Sequence, residues 1–534
     1  MLFEDDYFQT MSEEELWQRY CGFLDLSVDE FMEIQQELLM DEIERVADST
    51  LGKKIMGNQK PKSVEEFRRV VPLTTYEDYA PYLSQRQESA LAEKPNMWCR
   101  SAGRQGSVKW IPWSLEYCEK LVKNGITSFI LACSSKKGQV NIRPGLRFLA
   151  ALPPAPYPSG SWFSFMGSRF GYRCFPPLEK AGRTDFQTRM QTGLLMALKD
   201  GVDIAMALGS ILVKIGDGFS RQTRTMKFTP YMLHPVIIFR MLRARMHSRN
   251  EKRPLLPKDL WPLKAIITGG IDTAIYKDDI LKYWGVSPYE FYVSTEAGLA
   301  AMQAWNGKAM TFVPDNVFLE FLPEEERFKS EDGKAYQPTT VLLGELQEGK
   351  LYEVVITHFY GMPLLRYRMR DIFKVAALRD KETGVNLPQF VFQRRVTDTI
   401  DLAGLALIDE KTIWQAITKS GIRDTEWSAR KEYDENNSYL SLYIELSESE
   451  EAAKVAGKID EQLKAIDQDY RDIDYYLQVK PVRVTVLAPG TFDSYIDEKR
   501  KAGAEPAHLK PPHMNPPEQV ISRLLELSEA IKER

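Results

Sequence analysis

The feature that most constrains this chain is a change of texture part-way along it. Val202–Val213 reads as a buried strand running into a helix, and Leu263-Lys-Ala-Ile-Ile-Thr-Gly-Gly270 as a strand entering a glycine turn. A helix over 275–284, a strand over 289–293 and a helix over 298–304 follow. Strands that alternate with helices predict an α/β fold with a parallel sheet. After residue 310 the alternation gives way to short strands over 317–322, 350–357 and 373–377, separated by Glu, Gly and Asp turns, which predict β-rich packing. Past residue 400, strands at 438–446 and 482–487 with helices at 448–466 and 516–532 predict a small α+β domain. Two domains are expected, 1–398 and 399–534.

The N-terminal stretch adds helices. Val28, Phe31, Ile34, Leu38, Ile43 and Val46 recur at helical spacing, and Ser63 is placed to cap a further helix. An apolar helix is expected over 117–133 and another near 185–199. Gly103 and Gly106 mark a loop between two strands within 97–112.

At 534 residues the chain exceeds what one core supports, and 43% hydrophobic with 27% charged residues is the composition of a globular protein. A net charge of −5 gives no overall attraction for nucleic acid or anionic membrane. The basic run that includes Arg221, Arg240 and Arg249 lacks interleaved aromatics, so it reads as a solvated helix face. No apolar stretch approaches the roughly 18 residues that a membrane span requires. Five scattered cysteines with no C-x-x-C pair argue against a disulfide framework or zinc site. With the acidic start Met1-Leu-Phe-Glu-Asp-Asp6, they make the cytoplasm the expected compartment. The five histidines lack metal-ligand spacing; His358 reads as structural.

Chemistry concentrates in a few strings. Tyr292-Val-Ser-Thr-Glu296 offers an aromatic to cover a base, hydroxyls for phosphate oxygens and a carboxylate for a metal; its plain alternative is a strand end with a capping Ser or Thr. Asp371 closes Tyr367-Arg-Met-Arg-Asp371, where a strand-end carboxylate can accept from two ribose hydroxyls or can neutralise Arg366, Arg368 or Arg370. Arg394-Arg-Val-Thr-Asp398 lies at the domain boundary. Ser101-Ala-Gly-Arg-Gln-Gly106-Ser-Val-Lys109 keeps two glycines whose amides can cradle phosphate oxygens. Lys510 stands in Leu509-Lys-Pro-Pro512, shortly after Gly490-Thr-Phe-Asp493. An isolated lysine of this kind is usually a solvated charge.

In order and spacing these strings resemble the adenylate-forming enzyme superfamily, and more narrowly its auxin-responsive acyl-acid amido synthetase family, over roughly residues 60–515. The resemblance implies a large N-terminal domain of two helix-flanked sheets plus a β-rich subdomain, and a small mobile α+β C-terminal domain. It implies ATP and Mg2+ as cofactors, with Ser101, Gly103, Arg104, Gly106, Lys109, Tyr292, Ser294, Thr295, Asp371 and Arg395 at the nucleotide, Glu296 on the metal and Lys510 as the catalytic lysine. Thr397 or Asp398 would be the hinge. The implied reaction activates a carboxylic acid as an acyl-adenylate, releases pyrophosphate, and passes the acyl group to an amine, by family resemblance an amino acid. Two departures stand out. The phosphate loop lacks three hydroxyls of the superfamily pattern, with Arg104 as a charged substitute donor, and Lys510-Pro-Pro-His513 lacks the arginine that ends the family motif. An acyl- or aryl-CoA ligase and a nucleotide-binding, non-catalytic homologue remain the rival readings. The oligomeric state is not legible.

Overall fold

The computed structural model describes residues 2–101, 109–177, 186–222, 233–268, 273–326, 337–395, 399–402, 406–433, 438–448, 450–477, 481–501 and 513–533. Compact packing separates a large unit, ending at Arg395, from a small one after it.

The large unit opens with helices whose ends are written into the sequence. Ser12 with Glu15 and Ser27 with Glu30 form capping boxes ahead of the helices Glu13–Cys21 and Val28–Val46. Ser63 caps Val64–Val70 as expected. Within Val28–Val46 the buried stripe runs through Phe31, Gln35, Leu39, Ile43 and Val46, whereas Ile34 and Leu38 are only half-buried. The amide of the fully buried Gln35 donates to Val317 O at 2.8 Å and accepts from Leu319 N at 2.7 Å, so the helix is hydrogen-bonded to a strand that follows it by almost 300 residues.

Strands β1 (Met97–Ser101) and β2 (Lys109–Trp113) pair antiparallel. The helix Leu115–Cys133 follows, with Ser114 as its cap. Next come β3 (Leu146–Ala150), β4 (Tyr172–Phe175), β5 (Ile204–Met206), β6 (Ala265–Thr268) and β7 (Pro288–Ser294), all paired parallel in the order β7-β6-β5-β3-β4. Helices such as Phe186–Asp200, Gly209–Gln222 and Thr273–Trp284 make the crossovers that parallel pairing demands.

The same sheet continues antiparallel through β8 (Gly298–Gln303), β9 (Met310–Phe312), β10 (Val317–Pro323), β11 (Leu351–His358), β12 (Tyr367–Ala377) and β13 (Gln389–Arg395), giving eleven strands in the order β10-β11-β12-β13-β9-β8-β7-β6-β5-β3-β4. Strand β7 joins the halves, parallel to β6 and antiparallel to β8. Phe312, Phe321, Phe373 and Phe390 pack under the antiparallel half, with Phe312 and Phe390 edge-to-face at 4.8 Å.

Two expectations need correction. Residues 298–304 are not a helix: Gly298–Gln303 is β8, buried at every position. The alanines of Gly-Leu-Ala-Ala-Met favour a helix, but a central strand buried on both faces also reads as an unbroken apolar run, and tertiary pairing with β7 and β9 decides. The strand expected from residue 373 instead begins at Tyr367, so Asp371 lies inside β12 and not at a strand end. Between Val355↔Arg368 and Glu353↔Ile372 the register shifts, and Arg370 takes φ +61°. Asp371 therefore sits on a β-bulge, a device that redirects a side chain.

The small unit contains the hairpin β14 (Thr399–Leu402) and β15 (Ala406–Asp409), and a sheet of β16 (Asp424–Tyr433), β17 (Ser438–Leu446) and β18 (Val482–Leu487). The helices Glu410–Lys419, Ala452–Ile466, Gln468–Leu477, Thr491–Lys501 and Glu518–Lys532 accompany them. The Gly490-Thr-Phe-Asp493 string is a helix entrance: Gly490 takes φ +85°, and the amides of Gly490 and Phe492 donate to the two carboxylate oxygens of Glu445 at 2.7 and 3.1 Å.

Candidate functional site

The string from Tyr292 to Glu296 ends β7, where the sheet changes from parallel to antiparallel, and its last residues form the tight turn into β8. Gly298 has φ +58° there, and a Cβ on it would overlap the Tyr117 hydroxyl, so only glycine fits. Ser294 Oγ accepts from Ala297 N at 2.8 Å inside the turn. Four side chains from distant elements then hold its carbonyls. Trp113 Nε1 donates to Thr295 O at 3.0 Å, His358 Nε2 to Glu296 O at 2.5 Å, Asn316 Nδ2 to Ala297 O at 2.5 Å and Asn124 Nδ2 to Leu299 O at 3.1 Å. All four side chains are buried. A turn held at consecutive carbonyls is preorganised, and the carboxylate of Glu296 inherits a fixed position.

His358 shows how its tautomer is set. Leu364 N donates to Nδ1 at 3.3 Å, which leaves Nε2 as the protonated nitrogen facing Glu296 O. Complete burial pushes its pKa down to about 4, so the ring is neutral at physiological pH. Its role is structural, as its sequence context suggests.

Lys109 Nζ lies 3.7 Å from Glu296 Oε1 and 3.3 Å from Tyr367 Oη, and 5.2 Å from the centroid of the Tyr76 ring. One ammonium thus connects the Glu296 turn to the start of β12. A second connection runs four residues back along the first string and four residues further along the second, where Tyr292 Oη donates to Asp371 Oδ2 at 2.7 Å. The Tyr292 ring itself packs edge-on against Phe373 at 4.9 Å and is 7% exposed, so its hydroxyl orients Asp371 while its ring belongs to the core. Asp371 pairs in register with Arg395 across β12 and β13.

The plain alternative for Asp371, a partner for neighbouring arginines, loses most of its candidates. Arg366 makes a bidentate pair with Glu320 at 2.8 and 3.0 Å, and Arg368 makes one with Glu353 at 2.7 and 2.9 Å. Both arginines already have carboxylates.

The structure thus brings together Lys109, Tyr292, Ser294, Thr295, Glu296 and Asp371, with the backbone of Arg395 beside the last. Gly103, Arg104, Gly106, Thr397, Asp398 and Lys510 lie outside the described residues, as do the side chains of Ser101 and Arg395. Among the described residues no group of three or more His, Cys, Asp or Glu side chains could hold a metal. Glu296 as a lone carboxylate suits Mg2+, which takes most of its ligands from water and phosphate oxygens. Among the described residues no helix is long and apolar enough to cross a membrane. Sequence motifs do not reveal Trp113, Asn124, Asn316 or the ring contacts of His358; Asn124 stands in its helix among Lys120, Lys123, Thr127 and Ser128 and carries no distinguishing signal.

Models of a single family match three stretches that together take in most of the chain: the GH3 family N-terminal domain at 22–220, the central domain at 310–395 and the C-terminal domain at 412–519. The chain belongs to the GH3 family. An indole-3-acetic acid-amido synthetase, GH3.4 of Arabidopsis thaliana, is 26% identical over 47% of this chain, and the match spans only 44% of that relative's own length. The AtGH3.15 acyl acid amido synthetase, solved in complex with 2,4-DB, superposes with a TM-score of 0.52 at 18% identity, covering 97% of both chains. A 2-hydroxyisobutyryl-CoA ligase solved with 2-HIB-AMP and CoA superposes with a TM-score of 0.58 at 14% identity, over 99% of this chain and 94% of that one. The fold of this GH3 chain is therefore that of the adenylate-forming enzymes, a large multi-sheet N-terminal domain followed by a smaller C-terminal one.

Proposed function

We propose that this chain is an acyl-acid amido synthetase. A carboxylate oxygen attacks the α-phosphorus of ATP, the bond to the β-phosphoryl group breaks, and pyrophosphate leaves with the electron pair. The nitrogen of an amino acid then attacks the acyl carbon of the adenylate, loses a proton, and AMP departs. The observation that carries the reading is the convergence, within one packed unit, of the clamped Glu296 turn, Lys109 at 3.7 Å from it, and Asp371 oriented by Tyr292. Membership of the GH3 family supports an amine as the acyl acceptor.

Each side chain has a task in this scheme. Tyr292 donates to Asp371 and orients it, and the carboxylate accepts from the ribose hydroxyls. Lys109, Thr295 and Ser294 donate to phosphate oxygens, with Ser101, Arg104 and the amides of Gly103 and Gly106 completing the cradle. Glu296 would hold Mg2+, which would supply positive charge against the triphosphate. Arg395 braces the ribose and α-phosphate, and Lys510 bridges the attacking carboxylate and the α-phosphate as charge shifts between them. The reaction belongs to the cytoplasm, where thiols such as those of Cys21, Cys99 and Cys118 stay reduced.

The test is carboxylate-dependent exchange of labelled pyrophosphate into ATP across a panel of acids, followed by product mass with amino acids or with coenzyme A. Exchange that disappears in Lys510→Ala, and an amide product, are expected. Absence of exchange with every acid would sink the reading, and a thioester would replace the acceptor.

A further inference from the structure

Outside the candidate site, the large unit contains a cavity of about 210 Å³ between the helix Glu13–Cys21, the turn Gly22–Asp25, the helix Leu115–Cys133 and the segment Val313–Asp315. Its lining is divided. Phe23, Leu26, Ile34 and Val313 contribute apolar surface, and Arg19, Lys120 and Lys123 contribute three cations against the single carboxylate of Asp315.

The charges do not balance. Lys120, its side chain 8% exposed, is paired with Asp315. Burial, with Lys123 nearby, lowers its pKa to about 8 although Asp315 opposes the shift. Arg19 sits over the Tyr7 ring, its guanidinium carbon 3.6 Å from the centroid, and also meets the Tyr20 hydroxyl, while its buried Nε has no hydrogen-bond partner. Neither Arg19 nor Lys123 has a carboxylate within ion-pair distance among the described residues. Arg19 and Lys123 are half-buried, where a cation gains from an oxyanion beside it, and a buried donor without an acceptor is costly. Stacking on an aromatic face leaves the edge of a guanidinium open to an oxyanion.

One side chain of the cavity lining is hydrogen-bonded towards the Glu296 turn. Asn124 lines the cavity and donates both to Leu299 O and to Asn316 Oδ1, each at 3.1 Å, while Asn316 donates to Ala297 O.

We propose that this cavity binds a small organic carboxylate, its oxygens on Arg19 and Lys123 and its apolar body against Phe23 and Val313, and that occupancy tightens the Glu296 turn through Asn124 and Asn316. The acid bound here is an effector and not the acid that is activated, because the cavity shares no residue with Lys109, Tyr292, Glu296 or Asp371. The proposal goes beyond the synthetase reading and does not depend on it.

Benzoate and inorganic phosphate serve as probes on the full chain. Calorimetric titration should show benzoate binding that weakens about tenfold in Lys123→Gln and further in Arg19→Gln, the factor that one charge-assisted hydrogen bond carries. Lys123 has no ion pair to lose, so its variant decides the matter should Arg19→Gln not fold. Benzoate should also slow amide hydrogen exchange over 294–299 in the parent chain but not in Asn124→Ala. Binding unchanged in Lys123→Gln, or phosphate bound in preference to benzoate, would overturn the ligand assignment. Unaltered exchange over 294–299 would overturn the coupling. None of these readouts requires turnover, so they stand apart from pyrophosphate exchange.

Discussion

Arg366 is the residue whose loss should be felt most widely, because all five of its N–H donors are used. Two go to Glu320, one each to Arg68 O and Val71 O at 2.6 Å, and one to Thr340 Oγ1 at 3.2 Å. Arg366 is 4% exposed and Glu320 is fully buried. In Arg366→Leu the Glu320 carboxylate loses its bidentate partner, and two backbone carbonyls lose their donor. Breaking a buried pair by removing one partner costs about 3–5 kcal/mol, against a total stability on the order of 5–15 kcal/mol. Arg366→Leu leaves Glu320 with Arg68 Nε at 3.4 Å as its one cation, and replacing both, in Arg366→Leu/Glu320→Leu, removes that under-paired carboxylate and should recover part of the loss, leaving Arg68 without its carboxylate and the orphaned carbonyls at about 1–3 kcal/mol each. Urea unfolding followed by circular dichroism measures all three variants at constant m-value. The consequence extends to the site, because Thr74 pairs its N–H with Arg366 O and its carbonyl with Arg368 N, which ties the start of β12 to the N-terminal helices. Loosening this anchor should therefore weaken ATP binding through Asp371 as well as stability. A single substitution within about 1 kcal/mol of the parent, or a double variant less stable than the single, would refute the reasoning.

Three further outcomes are expected. His358 is held neutral, its pKa down at about 4 from an ordinary 6.5, so the unfolded chain binds the extra proton first. The stability it contributes is intact above pH 6.5 and is lost as pH falls towards 4, by about 3 kcal/mol, and His358→Gln should flatten that part of an acid-unfolding profile. His513 behaves in the opposite sense. Its two ring nitrogens meet Glu426 and Glu410 at 2.6 Å and the ring stacks on Trp427 at 4.5 Å, and the paired carboxylates raise its pKa. Its stabilisation is present below pH 6.5 and disappears as pH rises through the raised value, so melting temperature should fall across that window in the parent but not in His513→Gln. Tyr292→Phe removes the hydroxyl on Asp371 but keeps the packed ring. Pyrophosphate exchange should show KM for ATP rising by roughly ten- to a hundredfold, as a hydrogen bond to a charged group is worth about 1.5–3 kcal/mol, with little change in melting temperature.

The uneven legibility of the site has a physical origin. Strings such as Tyr292–Glu296 and Tyr367–Asp371 were readable because the chemistry of each is carried by neighbours in sequence, and a strand end or a bulge presents those neighbours together. The support beneath them was not readable, because Trp113, Asn124, Asn316 and His358 come from four separate stretches that meet only in the folded chain. The same limit accounts for β8, where alanine propensity pointed to a helix and pairing on both edges overrode it. It also accounts for Asp371, since a sequence cannot display that Glu320 and Glu353 neutralise the flanking arginines from across the sheet.

His513 carries this argument into the small unit. Read along the chain, it is a missing arginine three residues after Lys510. In the fold its ring lies between Glu410 and Glu426, whose carboxylates favour the protonated form, and its carbonyl accepts from Ala429 N at 2.7 Å, so the residue is fastened to β16 by both side chain and backbone. An arginine would keep the positive charge at any pH, whereas histidine keeps it only below its raised pKa. The departure from the family motif therefore replaces a permanent anchor beside the Lys510 segment with a titratable one, which is why His513→Arg should restore at alkaline pH the stability that the parent loses there.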